Sequence, residues 1–176
     1  MDIIENQRRV GTKIPSKRVC NAAGLTICIF LLAFAFYLQW VEQMEPCPLC
    51  ILQRIAVMGA TLCFLVALIH NPGLISSRVY AILLSVFLIA GAALALWHIR
   101  LQHLPADKIP GCLPSLGFML NNLPLNDVIA TVFRGSGSCA QVSWRFLGLT
   151  IPDWTLLWCV GMFLIFPWLN WRRIDA

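Results

Sequence analysis

Cys47-Pro48-Leu49-Cys50 sets two thiols three residues apart, a spacing suited to dithiol–disulfide chemistry. Arg54 follows at i+4 from Cys50, so on a helix its guanidinium shares a face with the second sulfur and leans back toward it. Pro46 and Pro48 disfavour helix in the residues just before them. A helix should therefore begin around Leu49 or Cys50, leaving Cys50 near a positively polarised N-terminus that favours a thiolate. A disulfide across C-x-x-C closes only a tiny ring, which makes it a poor structural staple, because chain-entropy stabilisation grows with loop length. Zinc would need Cys112 and Cys139 to complete a four-cysteine set, and those two are not a close pair. Redox exchange is the chemistry these residues favour. His70, His98 and His103 have no metal-ligand spacing, so no metal is predicted.

Cys112 and Cys139 form a second candidate pair. A bridge between them would close about 28 residues and contribute about 3 to 4 kcal/mol in the chain-entropy model, so a structural disulfide is a serious alternative there. Local sequence argues for exchange. Cys139 follows the flexible stretch Gly135-Ser136-Gly137-Ser138, and Cys112 lies in Pro110-Gly111-Cys112-Leu113-Pro114, where both prolines favour extended backbone. An extended, exposed cysteine peptide suits docking in a partner's groove, which favours Cys112 as the partner-facing sulfur.

These cysteines must be positioned by membrane helices. Hydrophobic residues make up 59% of the 176-residue chain and charged residues 12%, far from the roughly 25% charged of a soluble domain. Four apolar runs, 20–41, 51–70, 79–98 and 154–171, are each about long enough to span a bilayer, and each must be helical to satisfy its own backbone. The expected fold is a single all-α membrane domain, residues 1–176, built as a four-transmembrane-helix bundle. An arginine inside a span is costly enough to imply function; the alternative is a side chain that snorkels to the interface. Cys20, Cys28, Cys63 and Cys159 fall in or beside the spans and read as small buried hydrophobes.

Orientation follows from the basic residues. Arg8, Arg9, Lys13, Lys17 and Arg18 precede the first span, Arg78 lies in the 71–78 connection, and Arg172 and Arg173 follow the fourth span. The positive-inside rule then places both termini, 1–19 and 172–176, in the cytoplasm. The loop 42–50 and the long loop 99–153 face outward, where an oxidising compartment supports disulfides. Topology accounts for the net charge of +5, so nucleic acid is not an expected partner. The first run is long and lacks a small-residue cleavage site, which argues against a cleaved signal peptide. Glu42 and Glu45 read as solvated loop charges. Within the long loop, Asn126 or Asp127 can cap a short amphipathic helix carrying Val128, Ile129, Val132 and Phe133 on one face, placed on the membrane surface or against the bundle. His98, at the outer end of the third span, could hydrogen-bond a carrier headgroup near Cys50, and is equally readable as an interfacial histidine.

The decapeptide Glu45-Pro46-Cys47-Pro48-Leu49-Cys50-Ile51-Leu52-Gln53-Arg54 resembles the signature of the bacterial DsbB family of inner-membrane disulfide bond formation proteins. The four spans, the second cysteine pair and Phe146-Leu147-Gly148-Leu149 are also similar to that family. The resemblance implies a protein-dithiol:quinone oxidoreductase of the bacterial inner membrane with periplasmic cysteines, working with a DsbA-like thiol oxidase and the membrane quinone pool, ubiquinone or menaquinone. It implies that Cys112 exchanges with the partner's active-site thiolate and that Cys139 is its loop partner. It further implies that Cys47 reoxidises the loop pair, and that Cys50 passes electrons to a quinone positioned by Arg54. The N-terminal extension is longer than typical, and the family varies at the His98 end of the third helix. A vitamin K epoxide reductase-like enzyme would also pair C-x-x-C with a four-helix bundle, but there that motif follows the loop cysteines and here it comes first. A non-enzymatic membrane protein with two structural disulfides would have no need of Arg54 beside Cys50.

Overall fold

The computed structural model describes residues 16–44, 46–70, 72–105, 116–134, 139 and 144–171. Four long helices dominate: α1 (Lys17–Trp40), α2 (Pro48–His70), α3 (Leu74–Gln102) and α6 (Ile151–Trp171). All four are long and apolar enough to cross a membrane, the shortest at 21 residues, or about 31 Å at 1.5 Å per residue. The chain is a multi-pass, all-α membrane protein. Two short helices, α4 (Leu116–Asn122) and α5 (Leu125–Arg134), lie between α3 and α6, followed by a two-stranded hairpin of β1 (Arg145–Phe146) and β2 (Leu149–Thr150).

Helix ends follow local chemistry. The Ser16 side chain accepts from the Val19 amide at 3.4 Å and caps α1. α2 starts at Pro48, slightly earlier than the prolines suggested, because proline at the first helical position loses no hydrogen bond. α5 starts at Leu125 rather than after a cap at Asn126 or Asp127. The Pro124 carbonyl takes the amides of Asp127 and Val128 at 3.0 and 3.1 Å, so Asp127 lies in the first turn, where its charge favours the helix dipole. The hairpin turns at Leu147 and Gly148, both with positive φ (53° and 82°), as a two-residue type I′ connection requires. α6 then opens with the Thr150 amide and hydroxyl both donating to the Asp153 carboxylate, at 2.8 and 2.6 Å.

In the bundle α3 packs against α2 and α6, and α1 against α2 and, more lightly, α6. The central core comprises Cys28, Ala60, Phe64, Leu84, Met162 and Phe166, with the Phe64 and Phe166 rings meeting edge to face at 5.1 Å. The buried Cys28 and Cys159 behave as small apolar side chains here, in keeping with their placement in the spans. Outward faces carry exposed Phe30, Leu62 and Leu164, as a surface solvated by lipid permits. At the end remote from Cys47, the buried Asn170 amide donates to Asn21 Oδ1 at 3.1 Å and Ser77 donates to the Asn170 carbonyl at 2.7 Å, tying α1, α3 and α6 together.

Glycine permits a close approach of α1 to α2. A Cβ at Gly24 would lie 2.5 Å from two Phe64 ring atoms, and Phe64 is almost wholly buried. Gly24→Ala should therefore destabilise the detergent-solubilised protein by about 1–3 kcal/mol. Adding Phe64→Leu in the same chain should recover most of the loss in thermal midpoint, and a neutral Gly24→Ala would refute this packing.

Candidate functional site: a thiol pair beside an intramembrane arginine

The site is assembled where α1 ends, α2 begins and α3 ends. Cys47 is the residue before α2, and its sulfur accepts from the Cys50 amide at 3.4 Å while its carbonyl takes the Ile51 amide at 3.2 Å. Cys47 thus occupies the N-cap, so its sulfur, rather than that of Cys50 alone, meets the helix N-terminus. Both residues are thiols in the structure, with their sulfurs 3.2 Å apart.

His98 reaches both sulfurs. Its Nε2 is 3.8 Å from Cys47 Sγ and its Nδ1 is 3.9 Å from Cys50 Sγ, although 48 or more residues separate them in sequence. The ring is only 3% exposed and is held from two sides. Nε2 lies 3.0 Å from the Cys139 carbonyl and Nδ1 lies 3.4 Å from the Gln53 amide nitrogen. A carbonyl can only accept, so neutral His98 carries its proton on Nε2 and presents a lone pair at Nδ1. Cys139, itself 1% exposed, is thereby placed beside the Cys47 pair. Cys112 lies outside the described residues.

Arg54 takes a different set of partners from the sulfur expected on spacing. Its guanidinium donates to Gln39 Oε1 and, at 3.0 Å, to the Ala35 carbonyl, both on α1, and it lies 5.5 Å from the centre of the Phe36 ring. These acceptors are neutral, so the positive charge itself is left for other groups, with Cys50 and Cys47 within electrostatic range. α1 supplies a side-chain amide and a main-chain carbonyl to Arg54, while the Cys47 sulfur accepts from the first turn of α2.

A cavity of about 320 Å³ joins these groups. Cys47, Cys50 and Arg54 line one wall, and Phe34, Trp144 and Trp154 line another. The aromatic wall is continuous: Phe34 meets Trp144 edge to face at 5.6 Å, Trp144 stacks on Phe146 at 5.9 Å, and Phe146 lies 6.1 Å from Trp154. The hairpin therefore closes the space between α1 and α6. Its volume falls at the low end of the roughly 300–1,000 Å³ of small-molecule sites, and its mixture of apolar walls with few polar groups is typical of them.

Residues 17–169 match the family described as "Disulfide bond formation protein DsbB". The chain belongs to the DsbB family. Among relatives named Disulfide bond formation protein B, that of Nitrosococcus oceani is 50% identical over 145 residues, covering 82% of this chain and 86% of the relative. That of Methylococcus capsulatus is 42% identical over 162 residues, covering 91% and 99%, and that of Stutzerimonas stutzeri is 47% identical over 161 residues, covering 89% and 99%. Membership identifies this DsbB-family chain as an oxidoreductase of disulfide bond formation.

Gln39, Gln53 and Trp144 are site residues that spacing did not single out. The two glutamines were visible as polar interruptions of apolar runs, whereas Trp144 left no signal. The loop helices matter as well. Val128 and Val132 of α5 and Met119 of α4 are buried in one cluster with Cys47, Leu49, Leu101 and Cys139, while Ile129 and Phe133 stay half exposed. Trp97 donates to the Phe133 carbonyl at 2.9 Å and fastens α5 to α3. The short helix thus covers Cys47. Val132→Asp, which puts a carboxylate into that cluster, should raise the rate of maleimide labelling of reduced Cys47 about tenfold or more, the equivalent of about 1.4 kcal/mol of lost closure. An unchanged rate would show that α5 does not shield the thiol.

Proposed function

We propose that this protein reoxidises a soluble thioredoxin-like, DsbA-type disulfide oxidase by thiol–disulfide exchange and passes the electrons to a membrane quinone. The observation that carries the proposal is the cavity lined at once by Cys47, Cys50 and Arg54. Its residues fit a quinone: aromatic faces for the ring, and a cation whose own hydrogen-bond acceptors are neutral. A bound quinone would accept two electrons and two protons. Positive-inside charge favours cytoplasmic termini, with the thiols on the periplasmic side of a bacterial inner membrane.

The protein's own groups divide the work. The reduced partner attacks the Cys112–Cys139 disulfide at Cys112, leaves with a disulfide, and leaves Cys112 and Cys139 as thiols. The loop dithiol then reduces the Cys47–Cys50 disulfide by attack at Cys47, which regenerates the Cys112–Cys139 bond and transfers both electrons to the pair. Both residues line the cavity, and Cys50, the less buried of the two and one helical turn from Arg54, hands on the electrons, while Cys47 closes the disulfide behind it. Arg54 holds the carrier and favours the negative charge that develops on it. Gln39 and the Ala35 carbonyl keep the guanidinium in place. His98 touches both sulfurs, which suits it to holding a proton between them.

The driving force requires a carrier outside the protein's own sulfurs. A DsbA-type oxidase sits near about −120 mV, and 30 mV of a two-electron couple corresponds to about 1.4 kcal/mol, so only a more oxidising acceptor keeps the relay running. Turnover with reduced partner oxidase should be measured with ubiquinone and menaquinone side by side. Cys50→Ser should lower quinone reduction by at least about 10³-fold, as loss of a nucleophile does. Arg54→Gln should raise the quinone KM about 10- to 100-fold, the worth of about 1.5–3 kcal/mol of charge-assisted hydrogen bonding, with exchange toward the partner little changed. Full turnover by Cys50→Ser would refute the assignment of Cys50, and absence of turnover with either quinone would refute the proposed acceptor.

A further inference from the structure

Both sulfurs of the Cys47 pair and one nitrogen of His98 lie within 4.8 Å of one another. Zinc bonds of about 2.3 Å to sulfur and about 2.0–2.1 Å to nitrogen, at a tetrahedral angle, put ligand atoms about 3.5–3.8 Å apart. The sulfurs lie 3.2 Å apart and Cys50 Sγ lies 3.9 Å from His98 Nδ1, on either side of that range, while Cys47 Sγ lies 3.8 Å from Nε2, so rotation of the Cys47 side chain toward Nδ1 brings the three donors onto one ion. The surrounding bonds are those of a metal-binding histidine. His98 gives its Nε2 proton to the Cys139 carbonyl, which fixes the ring, and its Nδ1 lies 3.9 Å from Cys50 Sγ and 3.4 Å from the Gln53 amide, which turns away when Nδ1 takes an ion. Sequence spacing weighed zinc only through four cysteines; the donor set here uses a histidine from α3 that no motif connects to Cys47.

We infer that the reduced Cys47–Cys50 pair and His98 form a redox-gated zinc site. Two thiolates and one neutral imidazole are a borderline-soft donor set of the kind Zn²⁺ takes, and the fourth position opens to the cavity that all three residues line. Binding releases the two thiol protons and moves no electrons: two Zn–S bonds form and two S–H bonds break. The disulfide form, with no thiolate to offer, does not bind. Zinc therefore arrests the protein in its dithiol state, since the same two sulfurs cannot hold the ion and close a disulfide. The donor geometry alone carries binding; the arrest also rests on the redox role proposed above for the pair.

The test uses the full-length protein in detergent, reduced and freed of reductant without air, with neither partner nor quinone present. Titration with Co²⁺ as a spectroscopic probe should give a sulfur-to-cobalt charge-transfer band that saturates at one ion per chain, disappears on adding Zn²⁺, and is absent from diamide-oxidised protein. His98→Ala should weaken binding at least about tenfold, as loss of a ligand does. Because a variant can fail to fold, the unaltered chain supplies a second readout: Zn²⁺ should slow maleimide labelling of Cys47 and Cys50 at least about tenfold relative to EDTA, while Cys63 labels at the same rate in both. Equal labelling of the pair with and without Zn²⁺ overturns the site. So does a cobalt spectrum that survives His98→Ala and vanishes in Cys112→Ser, which would place the ion on the loop cysteines. None of these readouts requires turnover, so a protein that binds zinc yet reduces no quinone would contradict the proposed function and leave this site standing.

Discussion

The hydrogen bonds from Arg54 to Gln39 and the Ala35 carbonyl are the constraint on which the site depends. A guanidinium nearly two turns inside a membrane-spanning helix must find acceptors from protein, because lipid offers none and each unmet polar group costs several kcal/mol. α1 meets that demand with a side-chain amide and a main-chain carbonyl, and Phe36 covers the face of the cation. This fixes α1 against α2 at the same level as the thiols. The neutral partners satisfy the donors without cancelling the charge, so an anion or a developing negative charge is still favoured beside Cys50.

A comparable economy governs the thiol pair. Cys47 caps α2 through its sulfur, so under the proposed relay the exchanging atom is also a structural one, and closing a disulfide there would alter the first turn of a transmembrane helix. His98 bridges the two sulfurs from α3 and is itself oriented by Cys139 and Gln53. Contact with Cys139 brings this loop cysteine within the same buried cluster as Cys47. The price of this arrangement is a polar group buried at every corner, each answered by a specific partner from a different element.

The fold was largely legible because lipid simplifies the reading: an apolar run must be a helix, so four runs gave four helices without help from tertiary context. The Cys47 pair was legible for a similar reason, since C-x-x-C before a helix carries its own local geometry. Other features depended on contacts that no local pattern encodes. His98 meets sulfurs 48 and 51 residues away, and Gln39 holds an arginine on the next helix. The hairpin at Arg145–Thr150 has strands of two residues, too short for any alternation, and its turn uses Leu147, a residue that rarely adopts positive φ. Only Gly148 hinted at it. The capping of α5 shifted toward Pro124 because its carbonyl, rather than a side chain, receives the first amides.

The aromatic wall built by that hairpin makes the central claim directly measurable. A photoreactive quinone analogue, illuminated on the full-length protein in membranes, should label α1 near Phe34 and the segment around Trp144 and Phe146. Excess native quinone should suppress that labelling. Labelling confined to the outer, lipid-facing side chains such as Leu62 or Leu164, or labelling that native quinone does not suppress, would contradict a carrier seated in the cavity beside Cys50 and Arg54.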